Sequence, residues 1–177
     1  MGQRILRVFA VSAFVLLAIR PVMGQPADDD ASCVIGVTVA DVMEWESNFT
    51  PITLADITSQ AATVSDSESA TLYTNGDVDV TADNTTAAQL TGPDSDVLVT
   101  EYRLTYDGDG VTDTGGSTVD WTAYDSFLSS ASSITHASGD GAVVITLNVR
   151  ASNPTGEMSN AGAYSATQTL TASWAGP

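Results

Sequence analysis

The chain has 177 residues, 5 Lys+Arg against 22 Asp+Glu, a formal net charge of −17, one Cys and one His. It contains no lysine and its arginines are scattered, which argues against partners that need grouped cations, namely a nucleic-acid backbone or an anionic membrane surface. A single cysteine excludes an intramolecular disulfide, and a single histidine excludes a multi-histidine metal centre.

Residues 1–24 differ from the rest. Arg4 and Arg7 precede an apolar run from Val8 to Ile19, and Pro21-Val22-Met23-Gly24 follows. This is the layout of a secretory signal peptide, and the run is shorter than the ~20 apolar residues that span a bilayer. Cleavage before Gln25 is expected, with export to the extracellular space or cell surface, the periplasm as the alternative, and no integral membrane segment afterwards. The remaining chain keeps only Arg103 and Arg150 as strong bases, so its formal charge is about −20. Residues 25–32, with Asp28-Asp29-Asp30, read as a flexible acidic N-terminus, and residues 33–177 as one domain.

High charge and few large apolar residues favour disorder, but the patterning opposes it. Cys33–Val42 and Pro51–Ile57 read as strands. Ser69–Thr74 and Asp77–Ala82 flank Asn75-Gly76, a pair that tolerates the positive φ of a type I′ turn and so predicts a hairpin. From Val97 to Tyr106 a strand places Leu98, Tyr102, Leu104 and Tyr106 on one face. Trp121, Tyr124, Phe127 and Leu128 recur at helical spacing after Asp120, which predicts a short helix within Val119–Ala131; a strand with an aromatic plug is the alternative. Val143, Ile145, Leu147 and Val149 alternate strictly with their neighbours, as in a half-buried strand. Tyr164, Ala166, Leu170, Ala172 and Trp174 share a face of the last segment, with Gln168 the one polar intruder. The 23 threonines suit strands, and Asp, Gly, Ser and Asn mark the turns. The expected fold is all-β: an antiparallel immunoglobulin-like β-sandwich of seven or eight strands with one short helix, a β-barrel being the alternative.

Few residues carry chemistry. Ser138, His136 and Asp140 lack a nucleophile elbow, no glycine fingerprint for nucleotides occurs, and no acid pair stands out, so no enzymatic activity is expected. Asp107-Gly108-Asp109-Gly110-Val111-Thr112-Asp113 resembles the core of EF-hand-like and thrombospondin-type calcium loops. In that register Asp107, Asp109 and Asp113 are the candidate Ca²⁺ ligands, while Thr105 and Gly116 stand where the first Asp and the bidentate Glu belong. An acidic turn is the competing reading, and a structural Ca²⁺ ion is the only cofactor the sequence suggests. Cys33 is read as buried in the first strand, an intermolecular disulfide being the alternative.

The opening Ser32-Cys33-Val34-Ile35-Gly36-Val37-Thr38-Val39 and the closing Ala161-Gly162-Ala163-Tyr164 with Thr167-Gln168-Thr169-Leu170-Thr171-Ala172 resemble secreted bacterial β-sandwich surface subunits of the spore-coat-U and fimbrial type. The disulfide common in that group is absent here. The resemblance implies a non-enzymatic coat, pilus or filament subunit, assembled by strand addition with itself or other cell-surface proteins. Val34, Ile35, Val37 and Val39 form the candidate assembly strand, since an uncharged alternating strand can complete a neighbour's sheet. The second reading is a carbohydrate-binding or adhesin-like module using Trp45, Trp121, Tyr106 and Tyr124.

Overall fold

The structure, a computed structural model, describes residues 29–177. The predicted signal peptide lies outside the described residues. Asp29–Thr38 carry no secondary structure. Val39–Pro177 form a compact unit of nine strands. These are β1 Met43–Trp45, β2 Thr63–Thr74, β3 Asp77–Ala82, β4 Val99–Tyr106, β5 Gly115–Gly116, β6 Val119–Ala123, β7 Ser132–Thr135, β8 Ala142–Ser152 and β9 Leu170–Gly176. Two 3₁₀ turns, Thr86–Ala88 and Pro93–Ser95, lie between β3 and β4.

The strands form two antiparallel sheets, ordered β1-β2-β8-β4-β6 and β5-β7-β3-β9, in a β-sandwich rather than a closed barrel. The strict alternation of β8 explains its central place: Val143, Ile145, Leu147 and Val149 are buried, and both long neighbours, β2 and β4, pair along its length. Leu72, Tyr102 and Leu104 extend that inner face, and Val78, Val80 and Ile134 come from the opposite sheet. Two tyrosines end in hydrogen bonds at the core's margin. The Tyr106 hydroxyl donates to Ser132 Oγ at 2.7 Å and that of Tyr102 to the Ala88 carbonyl at 2.7 Å. Burial raises both phenols, that of Tyr102 to about 12.

Four sequence expectations are corrected. Cys33–Val42 forms no strand: pairing begins only at Met43, and Cys33 is exposed rather than buried. Pro51–Ile57 forms no strand: Ile52, Leu54 and Ile57 are half-buried, but the alternation breaks at Ala55-Asp56 and the segment has no pairing partner among the described residues. Asn75-Gly76 makes no hairpin, because β2 and β3 lie in different sheets and the pair turns the chain from one to the other. Gly76 is needed there for space: a Cβ would come within 2.3 Å of the Trp174 ring. Asn75 clasps the incoming chain instead, accepting from Val42 N–H at 2.8 Å and donating to the Ala40 carbonyl at 2.8 Å. Finally, Val119–Ala131 is not a helix. Its first five residues pair with β4, one tight turn follows in which Phe127 N–H donates to the Ala123 carbonyl, and Leu128 at φ 51° ends that turn. The alternative reading is the closer one, since Phe127 is a fully buried plug, its ring tilted against that of Tyr102 with centroids 5.5 Å apart.

Candidate functional site

Beyond Leu147 on the β2-β8-β4 inner face lies a trough lined by two stretches outside the described strands, Phe49–Thr58 and Met158–Gln168. It comprises two adjoining cavities of about 740 and 470 Å³, which share Ile52, Leu54, Leu90 and Tyr164. The floor is apolar, with Val64, Leu98, Tyr102, Leu147, Val149 and Ala151.

The two walls are held differently. Among the described residues, the backbone of Ser47–Thr58 makes no hydrogen bond to other protein groups. On the other wall Ser165 exchanges two backbone bonds with Thr91, at 3.0 and 3.1 Å, and Thr167 N–H donates to the Ala87 carbonyl at 2.7 Å. In an extended chain successive residues direct their amides and carbonyls to opposite edges, so those of Tyr164, Ala166 and Gln168 face away from that partner. Gln168 Nε2 lies in the trough lining, shielded from solvent and without a hydrogen-bond partner. The wall is latched by Asp96: its Oδ2 accepts from Asn160 N–H at 2.5 Å and from the Tyr164 hydroxyl at 2.8 Å. Those two donors, the Asn160 amide first, hold the Asp96 carboxyl below its ordinary value.

The structure does not bring the acidic loop together as a metal cage. Asp107 Oδ1 accepts from Val144 N–H at 2.9 Å and Asp109 Oδ1 from Val111 N–H at 2.9 Å. Among the described residues no group of three or more His, Cys, Asp or Glu side chains is placed to hold a metal ion. The lone histidine sits in a network around Thr114, a residue only 1% exposed. His136 Nδ1 is 3.3 Å from Thr114 Oγ1, whose hydroxyl donates to the Asp140 carbonyl and accepts from Ala137 N–H. The Asp140 carboxylate accepts from Thr114 N–H at 2.9 Å and Ala142 N–H at 3.4 Å, so Ser138, His136 and Asp140 form no relay.

The four candidate sugar-stacking aromatics are dispersed. Trp45, Tyr106 and Tyr124 pack against the core, and Trp121 lies under the Arg150 guanidinium at 4.7 Å. Arg150 makes a two-point ion pair with Glu101, at 2.7 and 3.0 Å, which holds its guanidinium above its ordinary value. The candidate assembly residues are solvent-exposed: Val34 by 99%, Ile35 by 91%, Val37 by 90% and Val39 by 75%. Sequence reasoning marked that segment and Gln168, but missed the unpaired Ser47–Thr58 wall and the Asp96 latch. The two-residue spacing of Ile52 and Leu54 was the available signal for the wall; Asp96 offered none. Among the described residues no helix is long and apolar enough to cross a membrane. Comparison with known proteins matches no family model and no curated protein.

Proposed function

We propose that this protein is an exported, non-enzymatic structural subunit of a surface layer or filament, which associates by strand addition through the segment around Val34–Val39. The observation that carries the reading is the exposure of Val34, Ile35, Val37 and Val39 in a stretch without charge or secondary structure. In an extended conformation Cys33, Ile35, Val37 and Val39 line up on one face, as a strand packing on a sheet does. Burying a single Val or Ile side chain stabilises by about 1.5–3 kcal/mol, so solvent is an unfavourable place for this row, and a partner that covers it gains that free energy. The acidic residues Asp29 and Asp30 just upstream keep free subunits apart and soluble.

The test is the assembly state of the mature chain under reducing conditions, which remove any bridge through Cys33. Light scattering and electron microscopy are expected to give oligomers or filaments whose amount rises with concentration. Deleting residues 25–40 is expected to leave monomers. A mature chain that stays monomeric at high concentration, or an oligomer indifferent to the deletion, overturns the reading.

A further inference from the structure

The outer face of the five-stranded sheet gathers the scarcest charge of the chain. Residues 25–177 hold two strong bases, Arg103 and Arg150, against 22 acids. Tyr102 and Leu104 of β4 and Val143, Ile145, Leu147 and Val149 of β8 are buried in the core, so Glu101, Arg103 and Thr105 of β4 and Thr146, Asn148 and Arg150 of β8 share the opposite face. The register sets them in rows with β2: Ser65, Arg150 and Glu101; Ser67, Asn148 and Arg103; Ser69, Thr146 and Thr105. Two bases far apart in sequence are thus diagonal neighbours on one surface.

The two differ in their partners. Arg150 forms its two-point pair with Glu101 and lies over the Trp121 ring. Arg103 makes no ion pair among the described residues, and its Nε is shielded from solvent without a hydrogen-bond partner. A desolvated donor on a charged group is destabilising while it stays unpartnered, yet uncharged Ser67 and Asn148 stand beside it in its row. The ladder also shifts here. Tyr102 pairs with Thr122 and Leu104 with Val119, so Asp120 and Trp121 together face the single residue Arg103. Bulges of this kind re-aim side chains and recur beside functional sites.

The surrounding groups describe what Arg103 would meet. Asn148 donates Nδ2 to the Arg103 and Thr146 carbonyls at 3.5 and 3.3 Å, which leaves Oδ1 to accept; Ser67 offers a hydroxyl, and Trp121 is half-buried. The acids at this point are engaged, Glu101 by Arg150 and Asp120 Oδ1 by Trp121 N–H at 2.8 Å. From Ser67 on β2 to Trp121 on β6 the row crosses three strand spacings, about 14 Å. On a sheet face the backbone amides are already used in the ladders, so a peptide finds few main-chain partners, whereas sugar hydroxyls both donate and accept and match side-chain hydroxyls and amides. One guanidinium without a partner suits one carboxylate, not a polyphosphate.

We propose that this face binds a uronic-acid oligosaccharide, with one sugar carboxylate on the Arg103 guanidinium and neighbouring ring hydroxyls on Asn148 and Ser67. The site lies on the opposite side of the sheet from the trough and stands independently of the self-association reading.

Calorimetric titration of the mature chain with trigalacturonate and trimannuronate tests the proposal, alongside the methyl ester of each, which keeps the hydroxyls and removes the charge. At least one acid trimer is expected to bind, with tenfold or greater affinity over its ester. Arg103→Gln is expected to lower the affinity for that trimer to the level of the ester and to leave the ester unaffected, because carboxylate and guanidinium act as one contact. Asn148→Ala is expected to weaken acid and ester by the same factor. Triglutamate, which has the carboxylates without the ring hydroxyls, is expected to bind at least tenfold more weakly than the trimer. A measurement on the unsubstituted chain guards against variants that fold poorly: the trimer is expected to slow phenylglyoxal labelling of Arg103 severalfold, and triglutamate is not.

No heat from either acid trimer at millimolar concentration, equal affinity for acid and ester, or Arg103 labelled at the same rate with and without the trimer overturns the proposal. Trimer binding that survives Arg103→Gln overturns the placement at this face. Triglutamate binding as tightly as the trimer overturns the sugar as ligand and marks the face as one for acidic peptides.

Discussion

Asp96 shows how one side chain positions a whole wall. The turn Pro93–Ser95 places both Asp94 and Ser95 at positive φ, 55° and 64°, a conformation that costs a non-glycine residue on the order of 1 kcal/mol or more. That strain aims the following carboxylate at the Asn160 amide and the Tyr164 hydroxyl. Gly162 lies against the same turn, where a Cβ would come within 2.4 Å of Pro93 Cγ. Because the folded-state carboxyl is held below its ordinary value of 3.8, its contribution to stability is present above that pH and lost as pH falls through the lower folded value. The Asn160 amide is therefore expected to stay protected from hydrogen exchange at pH 5. At that pH, Asp96→Ala should speed its exchange severalfold. Acidification through the lowered folded-state value should reproduce the effect in the unsubstituted chain after correction for intrinsic exchange. An Asn160 amide indifferent to the substitution would remove Asp96 as the latch.

At the scale of elements, the turn after β6 seals one end of the core with Phe127, which is fully buried against Tyr102. Phe127→Ala is expected to cost about 3–5 kcal/mol in urea unfolding, and Ser126→Ala on the exposed side of the same turn less than about 0.5 kcal/mol. Similar losses for the two would mean that the turn does not act as a plug. Tyr102 gives a second, spectroscopic check. Its phenol is raised to about 12 by burial, so the folded state favours the neutral form, and stability declines once pH passes the ordinary tyrosine value of 10.0. Ultraviolet titration of the folded chain at pH 11 should find this phenol still protonated, and Tyr102→Phe should remove that late-titrating group. These elements also show what was legible beforehand. The alternation of Val143 to Val149 gave β8 directly, and Leu98 to Tyr106 gave the face of β4, because a long half-buried strand writes its period into the chain. Residues 33–39 carry the same period, and Ile52 and Leu54 begin it, without a ladder, since whether a strand finds a partner depends on segments far away in sequence. Trp121, Tyr124, Phe127 and Leu128 imitated a helix because a strand followed by a tight turn put apolar residues at those intervals. Asn75-Gly76 carried a true turn signal, but a turn between sheets and one within a hairpin share the same residues. Of the trough, Gln168 stood out as a polar residue on an apolar face; its wall partner and latch arise only once distant loops meet.

The whole molecule is governed by its charge. The chain carries −17 over its full length and about −20 over residues 25–177, yet the described residues contain a single salt bridge, Arg150–Glu101. Most acids therefore meet no local cation, and their mutual repulsion opposes the compact state. Part of the repulsion also has a use. β1 pairs only with Leu72–Thr74, so among the described residues the outer edge of β2 from Thr63 to Ala70 has no strand paired to it. Asp66 and Glu68 lie on that edge strand, and like charges on two such edges discourage indiscriminate pairing, whereas the uncharged Val34–Val39 meets no such barrier. Salt should act on both effects in predictable directions. At about 0.1 M the Debye length is ~10 Å, comparable with the spacing of charges on a small domain, and at 1 M it is ~3 Å. Raising sodium chloride from 0.1 to 1 M is thus expected to raise the melting temperature by several degrees, with each kcal/mol regained worth roughly 2–4 °C for a domain of this size. The gain should come mainly below about 0.5 M, where screening changes fastest; a steady linear rise to molar salt would point to salting-out of apolar surface instead. To separate the two, the same melts in sodium sulfate and sodium chloride at matched ionic strength should coincide if charge repulsion is the cause. The chain lacking residues 25–40, the segment proposed to associate, is the suitable subject, because its melting temperature would carry no stability from assembly. A melting temperature flat across this range would mean that the acids are already too far apart to oppose folding.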